Sequence, residues 1–176
     1  MKEAEVSIRT ALYYICNNIT KENVRISIDG AHIKTKDTIH FDIFNFLKEN
    51  NCRKIDGVDD RWQGLYEVHG YEPKFEISSK PGIGDVTVTL PDGFILHIES
   101  KKGTNRKGNT EYPLMREAIG QLMTTQYDVD NVIPVVAVPY SAKSYELAKR
   151  WSEYKKIKDA NIHFILVHEN GEILYI

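Results

Sequence analysis

The stretch PGIGDVTVTLPDGFILHIESKKG, residues 81–103, decides the fold of the middle of this chain. Residues 83–90 and 94–101 alternate in polarity and are rich in β-branched side chains, which predicts two strands. Pro91-Asp92-Gly93 lies between them. Proline presets φ at the second turn position, and glycine takes the left-handed conformation that closes a three-residue loop. The stretch therefore predicts a β-hairpin.

A three-residue loop fixes the register of this hairpin and places Asp85 opposite Glu99. Because side chains alternate between the two faces of a strand pair, Asp85, Glu99 and Lys101 share one face. A two-residue loop would put the two acids on opposite faces. The other face is uniformly apolar and is predicted to pack on a core: Val86, Val88, Leu90, Phe94, Leu96 and Ile98.

Two carboxylates that face each other across a strand pair repel, and more strongly where they are partly buried. A divalent cation between Asp85 and Glu99 reverses the sign of that interaction. Oxygen ligands of this kind suit Mg²⁺ or Mn²⁺, which keep several waters and accept one or two carboxylates plus a substrate phosphate. Lys101 could orient or deprotonate an attacking water, or stabilise charge developing on phosphorus. The residues favour a metal-dependent nuclease over the alternative, a solvated surface patch.

Asp85 followed by Glu99-Ser100-Lys101 resembles the core motif of the PD-(D/E)xK nuclease superfamily, which has the restriction-endonuclease-like fold. Residues 81–85 are also similar to the glycine-rich approach that many members show before their aspartate. The resemblance implies an α/β/α sandwich and magnesium-dependent hydrolysis of nucleic acid. It further implies that the metal is bound by Asp85, Glu99 and the backbone carbonyl of Ser100.

The same resemblance implies catalytic residues outside the hairpin. Family members often supply another acid from a helix ahead of the first core strand, and Glu67 is our prediction for it, with Glu49 second. Gln121 lies one turn into the helix after the lysine, where several branches place a glutamine that points back at the active site. The alternative for each is an ordinary solvated side chain on a helix surface.

Basic side chains beside the hairpin are the candidates for contact with nucleic acid. Lys102, Arg106 and Lys107 lie in a polar, glycine-punctuated stretch next to the proposed metal and could hold backbone phosphates. His97 projects from the same face two residues before Glu99, and its charge changes near neutral pH. It could contact a phosphate, shuttle a proton, or fill space beside the site. A solvated loop is the alternative for the basic residues.

After the hairpin, helices and strands alternate. A helix is predicted over about 113–127, and the apolar run 132–138 is typical of a strand buried on both faces. Strand, helix and strand in this order predict a right-handed crossover with parallel pairing. A second helix follows over about 142–158, and a hairpin around Asn170-Gly171 closes the chain. These elements predict an α/β fold with a mixed sheet flanked by helices.

The half before the hairpin has a less regular pattern. Its predicted elements are a helix over 3–19, a hairpin of 24–28 and 31–35 around Asp29-Gly30, a helix capped by Asp37 and running through Leu47, a helix over 59–70, and a first core strand over 75–79. We expect one domain over 1–176. Its parts are an N-terminal helix and hairpin extension (1–36), a catalytic core (37–138) and a C-terminal helix and hairpin (139–176).

Composition limits the remaining choices. The formal net charge of -2 gives no overall attraction to nucleic acid, so binding must come from local patches. Cys16 and Cys52 lack the paired spacing of zinc, iron-sulfur or disulfide frameworks, which fits a reducing cytoplasm. Without a signal peptide or an apolar run of about 18 residues, we expect a soluble protein that does not engage a membrane.

The sequence thus predicts a DNA endonuclease of the restriction or repair type that uses Mg²⁺ or Mn²⁺. Two alternatives stay open: a non-catalytic nucleic-acid-binding or interaction module on a nuclease scaffold, and an RNA-directed nuclease. Because symmetric cleavage of both strands of a duplex needs two sites, a homodimer is a further expectation.

Overall fold

The computed structural model describes residues 1–80, 84–103 and 111–176. The helices are α1 (Glu3–Cys16), α2 (Gly30–Ile33), α3 (Ile43–Glu49), α4 (Glu111–Thr124), α5 (Ala142–Ser152) and α6 (Lys155–Asp159). The strands are β1 (Val24–Ser27), β2 (Lys34–Thr35), β3 (Thr38–Ile39), β4 (Cys52–Asp56), β5 (Gly64–Val68), β6 (Lys74–Ser78), β7 (Val86–Thr89), β8 (Ile95–Ser100), β9 (Val132–Pro139), β10 (His163–Val167) and β11 (Ile173–Tyr175).

Most of these strands form one mixed sheet in the order β11-β10-β9-β8-β7-β1-β6-β5-β4, while β2 and β3 pair separately. β9 runs parallel to β8 and β10, and β1 runs parallel to β6. The other neighbours in the sheet are antiparallel. Because α4 connects β8 to β9, the predicted strand-helix-strand unit with parallel pairing is confirmed.

Helices cover both faces of the sheet, and each face carries its own hydrophobic core. α1 and α3 pack on one face, and α4, α5 and α6 pack on the other. The alternation along β9 shows the division, since Val135 and Ala137 enter the first core while Val136 and Val138 enter the second. The predicted α/β fold, with a mixed sheet flanked by helices, is confirmed.

The hairpin predicted around Asp29-Gly30 is wrong. The Asp29 Oδ1 atom accepts a hydrogen bond from the Ala31 N–H at 2.9 Å and caps α2, so the Asp-Gly pair begins a helical turn. β1 pairs with β6 and β7 instead, which buries Val24 and Ile26 completely. Residues assigned to an N-terminal extension therefore supply a central strand of the sheet.

The helix predicted over 59–70 is also wrong. Trp62, Leu65, Tyr66 and His69 have helical spacing, yet the segment contains β5. Tyr66 and Val68 alternate into the core, and the Tyr66 ring stacks on Phe75 of β6 with 5.4 Å between centroids. Packing across the sheet overrides the local helical pattern.

Two helix boundaries differ from the predicted ones. Asp37 lies in the turn between β2 and β3, and the N-cap of α3 is Asp42, whose Oδ1 accepts from the Asn45 N–H at 3.1 Å. The helix predicted over 142–158 is divided into α5 and α6. The closing hairpin is confirmed as the antiparallel pair β10–β11.

The longest helices, α1 and α4, have 14 residues each. In the ranges that the structure describes, no helix has both the length and the apolar composition needed to cross a membrane.

Candidate active site

The β7–β8 hairpin forms with the predicted register, in which Thr87 pairs with His97. Gly93 has φ 88° and donates its N–H to the Leu90 carbonyl at 2.9 Å, so glycine closes the loop as expected. Phe94 is 44% exposed, because it flanks the turn beyond the edge of the core, and its predicted burial is wrong. The rest of the apolar face is confirmed in its core position, namely Val86, Val88, Leu96 and Ile98 as buried residues and Leu90 as a partly buried one.

Asp85 lies just before β7, where three hydrogen bonds fix it. Its N–H donates to the Ile98 carbonyl at 2.9 Å, and its carbonyl accepts from the Ser27 N–H at 2.8 Å. Its side-chain Oδ2 accepts from the backbone N–H of Ser100 at 2.8 Å. The Asp85 carboxylate therefore lies across the strand pair, against the backbone that carries Glu99.

Lys101 is buried at the end of β8 between two acids. Its Nζ lies 3.3 Å from Glu99 Oε1 and 3.1 Å from Glu117 Oε1 on α4. The side chains of Lys101 and Glu99 are 4% and 11% exposed, whereas that of Glu117 is 57% exposed. The ammonium group is thus held between one buried and one solvated carboxylate.

Burial dominates the electrostatics of the two central carboxyl groups. Burial and then the Glu99 carboxylate raise the pKa of Asp85 to about 8, against the hydrogen bond from Ser100. Burial also raises the pKa of Glu99, while Lys101 opposes the shift. Two neighbouring acids whose pKa values are both raised form a site with a deficit of positive charge.

For the pKa of Lys101, neighbouring charges outweigh burial. Burial alone would lower the pKa of its ammonium group, but the carboxylates of Glu3, Glu99 and Glu117 together raise it above the usual value. Of the roles that the sequence left open for Lys101, orienting a water and stabilising charge on phosphorus fit this shift better than deprotonating the water.

These side chains open into a polar cavity of about 360 Å³ at the end of β8. α1 packs on one face of the sheet and α4 on the other, so the cavity lies where both helices flank the strand end. Gln121 on α4 and Lys102 after β8 line it as well, so the structure brings both of these predicted residues to the site.

Glu67 does not reach this cavity. It lies on β5, where its Oε1 is 2.7 Å from Nη2 of Arg53, and β6 and β1 separate it from β7. Three strand spacings amount to about 14 Å. Glu49 ends α3 and accepts from Asn45 Nδ2 at 2.8 Å. Arg106 and Lys107 lie outside the described residues.

His97 lies one cross-strand pair away from the two central acids and is 3% exposed. Burial lowers its pKa to about 4, so its ring is neutral at physiological pH and supplies no positive charge for a phosphate. Gly84, with φ 76°, packs against this ring, since a Cβ added there would lie 2.1 Å from His97 Cδ2. The close approach explains a glycine directly before Asp85.

Two further acids at the cavity were not predicted. Glu3, in the first turn of α1, lines the cavity and lies 3.4 Å from Nδ1 of His32. Glu117 lines it from α4. Acids in the first turn of a helix and on a helix surface are common in any protein. No local signal therefore distinguishes either residue from an ordinary helix glutamate.

The donor set fits a hard divalent cation. Asp85 and Glu99 contribute carboxylate oxygens, and Ser100 lies between Glu99 and Lys101 with its backbone tied to Asp85. In residues 1–80, 84–103 and 111–176, no group of three or more His, Cys, Asp or Glu side chains could hold a metal ion. Mg²⁺ does not need such a group, because it accepts one or two carboxylates and completes its shell with water and phosphate.

Comparison with protein-family models, curated proteins and solved structures gives no match for this chain. The chemistry open to the site follows from the positions of Asp85, Glu99 and Lys101 and from their electrostatics.

Proposed function

We propose that this protein is a divalent-cation-dependent nuclease that hydrolyses phosphodiester bonds of DNA, with a restriction-endonuclease-like arrangement of its core. One observation carries the proposal: the buried Glu99 carboxylate, the partly buried Asp85 carboxylate and the buried Lys101 ammonium group converge at the end of β8 and open into a polar cavity. Burying two acids side by side is costly and serves no purpose in a site that only binds a polyanion. The cost is offset when a cation and a phosphate enter.

Each residue of the site has its own role in the proposed hydrolysis. Asp85, Glu99 and the Ser100 carbonyl would hold Mg²⁺ or Mn²⁺, which supplies charge neutralisation, polarisation of the phosphate and a lowered pKa of a nearby water. Lys101 keeps its proton and donates to an oxygen of the water or of the phosphate as negative charge develops. Glu117 positions the Lys101 ammonium group through the 3.1 Å contact. Gln121 can hydrogen-bond a phosphate oxygen or a water from α4.

A cleavage assay tests the proposal directly. The full chain is incubated with plasmid, linear duplex, single strands and RNA, in Mg²⁺, in Mn²⁺ or in chelator. We expect cation-dependent cleavage of DNA that falls on the order of a thousandfold in both Asp85→Asn and Glu99→Gln. Glu67→Gln is the matched control, because this strand glutamate is remote from the cavity, and it should retain activity.

The other results have defined meanings. Cleavage that persists in Glu99→Gln and Lys101→Ala would exclude this mechanism. Tight binding of DNA without turnover in either cation would favour a binding module on the same scaffold, and turnover of RNA alone would change the substrate class.

Two expectations about context belong to the same proposal. A homodimer would provide a second site for the second strand of a duplex, and sedimentation analysis with and without DNA tests it. A cytoplasmic location fits the free thiols of Cys16 and Cys52, since burial raises the pKa of Cys52 to about 12 and keeps it a thiol.

A further inference from the structure

A second cavity, also of about 360 Å³, lies beside the candidate active site on the same face of the sheet. Its floor includes Thr87 and His97, the cross-strand pair next to Asp85 and Glu99. Two residues along a strand correspond to about 7 Å. Ser27 lines both cavities, so the two spaces share a wall.

The inner part of this second cavity is aromatic and apolar. The rings of His97 and Tyr127 contact each other at 5.1 Å between centroids, at an angle of 54°. Ile26, Ile95, Val129 and Val132 add aliphatic side chains to the lining. A planar, uncharged group can therefore enter with its faces against rings and aliphatic side chains, which is how proteins bind bases that have left a nucleic-acid stack.

The charged side chains at the rim of the cavity are two basic and two acidic residues, so their charges cancel. Arg25 and Lys80 are balanced by Glu76 and Asp128, and Arg25 and Glu76 are direct cross-strand neighbours. A phosphate group would meet two carboxylates there as well as the two basic side chains. The balance favours a neutral heterocycle inside the cavity, with the phosphates of the same strand outside it.

Two polar atoms in the wall have no hydrogen-bond partner among the residues that the structure describes. Within the described part of the chain, His97 Nε2 and the Tyr127 hydroxyl are buried and make no hydrogen bond. Buried polar atoms are seldom left so in folded proteins. Both are of a type that can donate or accept a hydrogen bond.

We propose that this cavity receives a nucleobase of the substrate strand, unstacked from its neighbours, while an adjacent phosphodiester lies at Asp85 and Glu99. The inference rests on the proposed nuclease function and narrows its substrate. A base inside an intact duplex cannot enter such a cavity, so the enzyme acts where a base is free: in a single strand, at a distorted site, or after flipping the base itself.

The binding test uses the full-length Glu99→Gln variant and two separate probes, the four 2′-deoxynucleosides and inorganic phosphate. NMR follows the ring protons of His97 and Tyr127. We expect saturable shifts with at least one deoxynucleoside and none with inorganic phosphate. Tyr127→Leu should weaken nucleoside binding about tenfold, as loss of a stacking partner does.

A filled cavity provides the second variant. Val129 is 48% exposed, so Val129→Trp can occupy the cavity without disturbing the core, and it should abolish nucleoside binding. Val58, 58% exposed, lies outside this cavity, and Val58→Trp is the matched control that should bind as the parent does.

Failure of the base site and failure of the nuclease function are distinguishable. The base site is refuted if no deoxynucleoside gives a saturable shift, if phosphate alone does, or if Val129→Trp binds as tightly as Val58→Trp. Cleavage by the wild-type protein is measured in parallel. Cleavage without nucleoside binding rejects the base site alone, whereas nucleoside binding that Val129→Trp removes, without cleavage in any cation, supports the base site and rejects the nuclease function alone.

Discussion

Two glutamates on the same face of the sheet pair with a basic residue, and they differ in almost every other respect. Glu67 on β5 lies 2.7 Å from Arg53, in a pair whose side chains are 31% and 77% exposed. Glu99 on β8 lies 3.3 Å from Lys101, with exposures of 11% and 4%. The shorter contact is the less important one, because water screens it. Burial, not distance, gives the Glu99 pair its capacity for chemistry.

Catalysis should separate the two pairs most strongly. Lys101→Met removes the only positive charge described against Glu99, and we expect kcat to fall on the order of a hundredfold to a thousandfold. Arg53→Met removes the equivalent charge from Glu67 and should change kcat less than about twofold. Cleavage kinetics in Mg²⁺ measure both. Equal losses would mean that burial is not what distinguishes these sites.

The contribution to stability should also differ between the Glu99–Lys101 pair and the Glu67–Arg53 pair. In chelator near neutral pH, Lys101→Met leaves a buried carboxylate without its cation, and we expect the free energy of unfolding to fall by about 3 kcal/mol. Arg53→Met should cost less than about 1 kcal/mol. Denaturant unfolding of both variants provides the values. If Lys101→Met proves as stable as the parent, the buried pair is not a structural constraint.

The dependence of stability on pH should distinguish Asp85, in the candidate active site, from Glu67. Between about 4 and about 8, folded Asp85 holds a proton that the unfolded chain has released, so the free energy of unfolding falls as pH rises through this window. The slope from one group is at most about 1.4 kcal/mol per pH unit. Asp85→Asn should flatten the decline in chelator, and Glu67→Gln should not. A steeper decline in Asp85→Asn would reverse the assigned sign.

Replacing Glu117 should have an effect between those of Arg53→Met and Lys101→Met. Its side chain is 57% exposed, yet it contacts the buried Lys101 ammonium group at 3.1 Å. Glu117→Gln should lower kcat about threefold, as expected for a partly screened pair, and leave KM unchanged. Glu146→Gln on α5, 53% exposed and paired with Lys143, is the control. A loss as large as that of Lys101→Met would place Glu117 among the catalytic groups.

The sequence is sufficient for the part of the site that lies within one hairpin. Asp85, Glu99 and Lys101 are within 16 residues of each other, and the turn at Gly93 with the apolar face fixes their register. Glu3 is different, because it reaches the cavity only after α1 packs on the sheet. Its contact depends on non-local packing, which no spacing in the sequence records.

The error at Glu67 has a specific physical origin. Trp62, Leu65, Tyr66 and His69 follow the spacing of a helix face, and a helix there would have carried Glu67 towards the first core strand. In the folded chain, Tyr66 lies on β5 and its ring stacks on that of Phe75 on β6. Hydrogen bonds from β5 to β4 and β6 hold the segment extended. Such pairing partners become visible only once the order of the strands is known.

β1 is synthesised long before the strands that hold it. Val24 pairs with Phe75 and Ile26 with Val86, so about 50 to 60 residues must leave the ribosome before this strand finds either neighbour. Until then two side chains that end fully buried are exposed to water and to other nascent chains. Long-range pairing of this kind slows folding. β1 therefore takes its central place in the sheet only after the chain has been synthesised as far as β7.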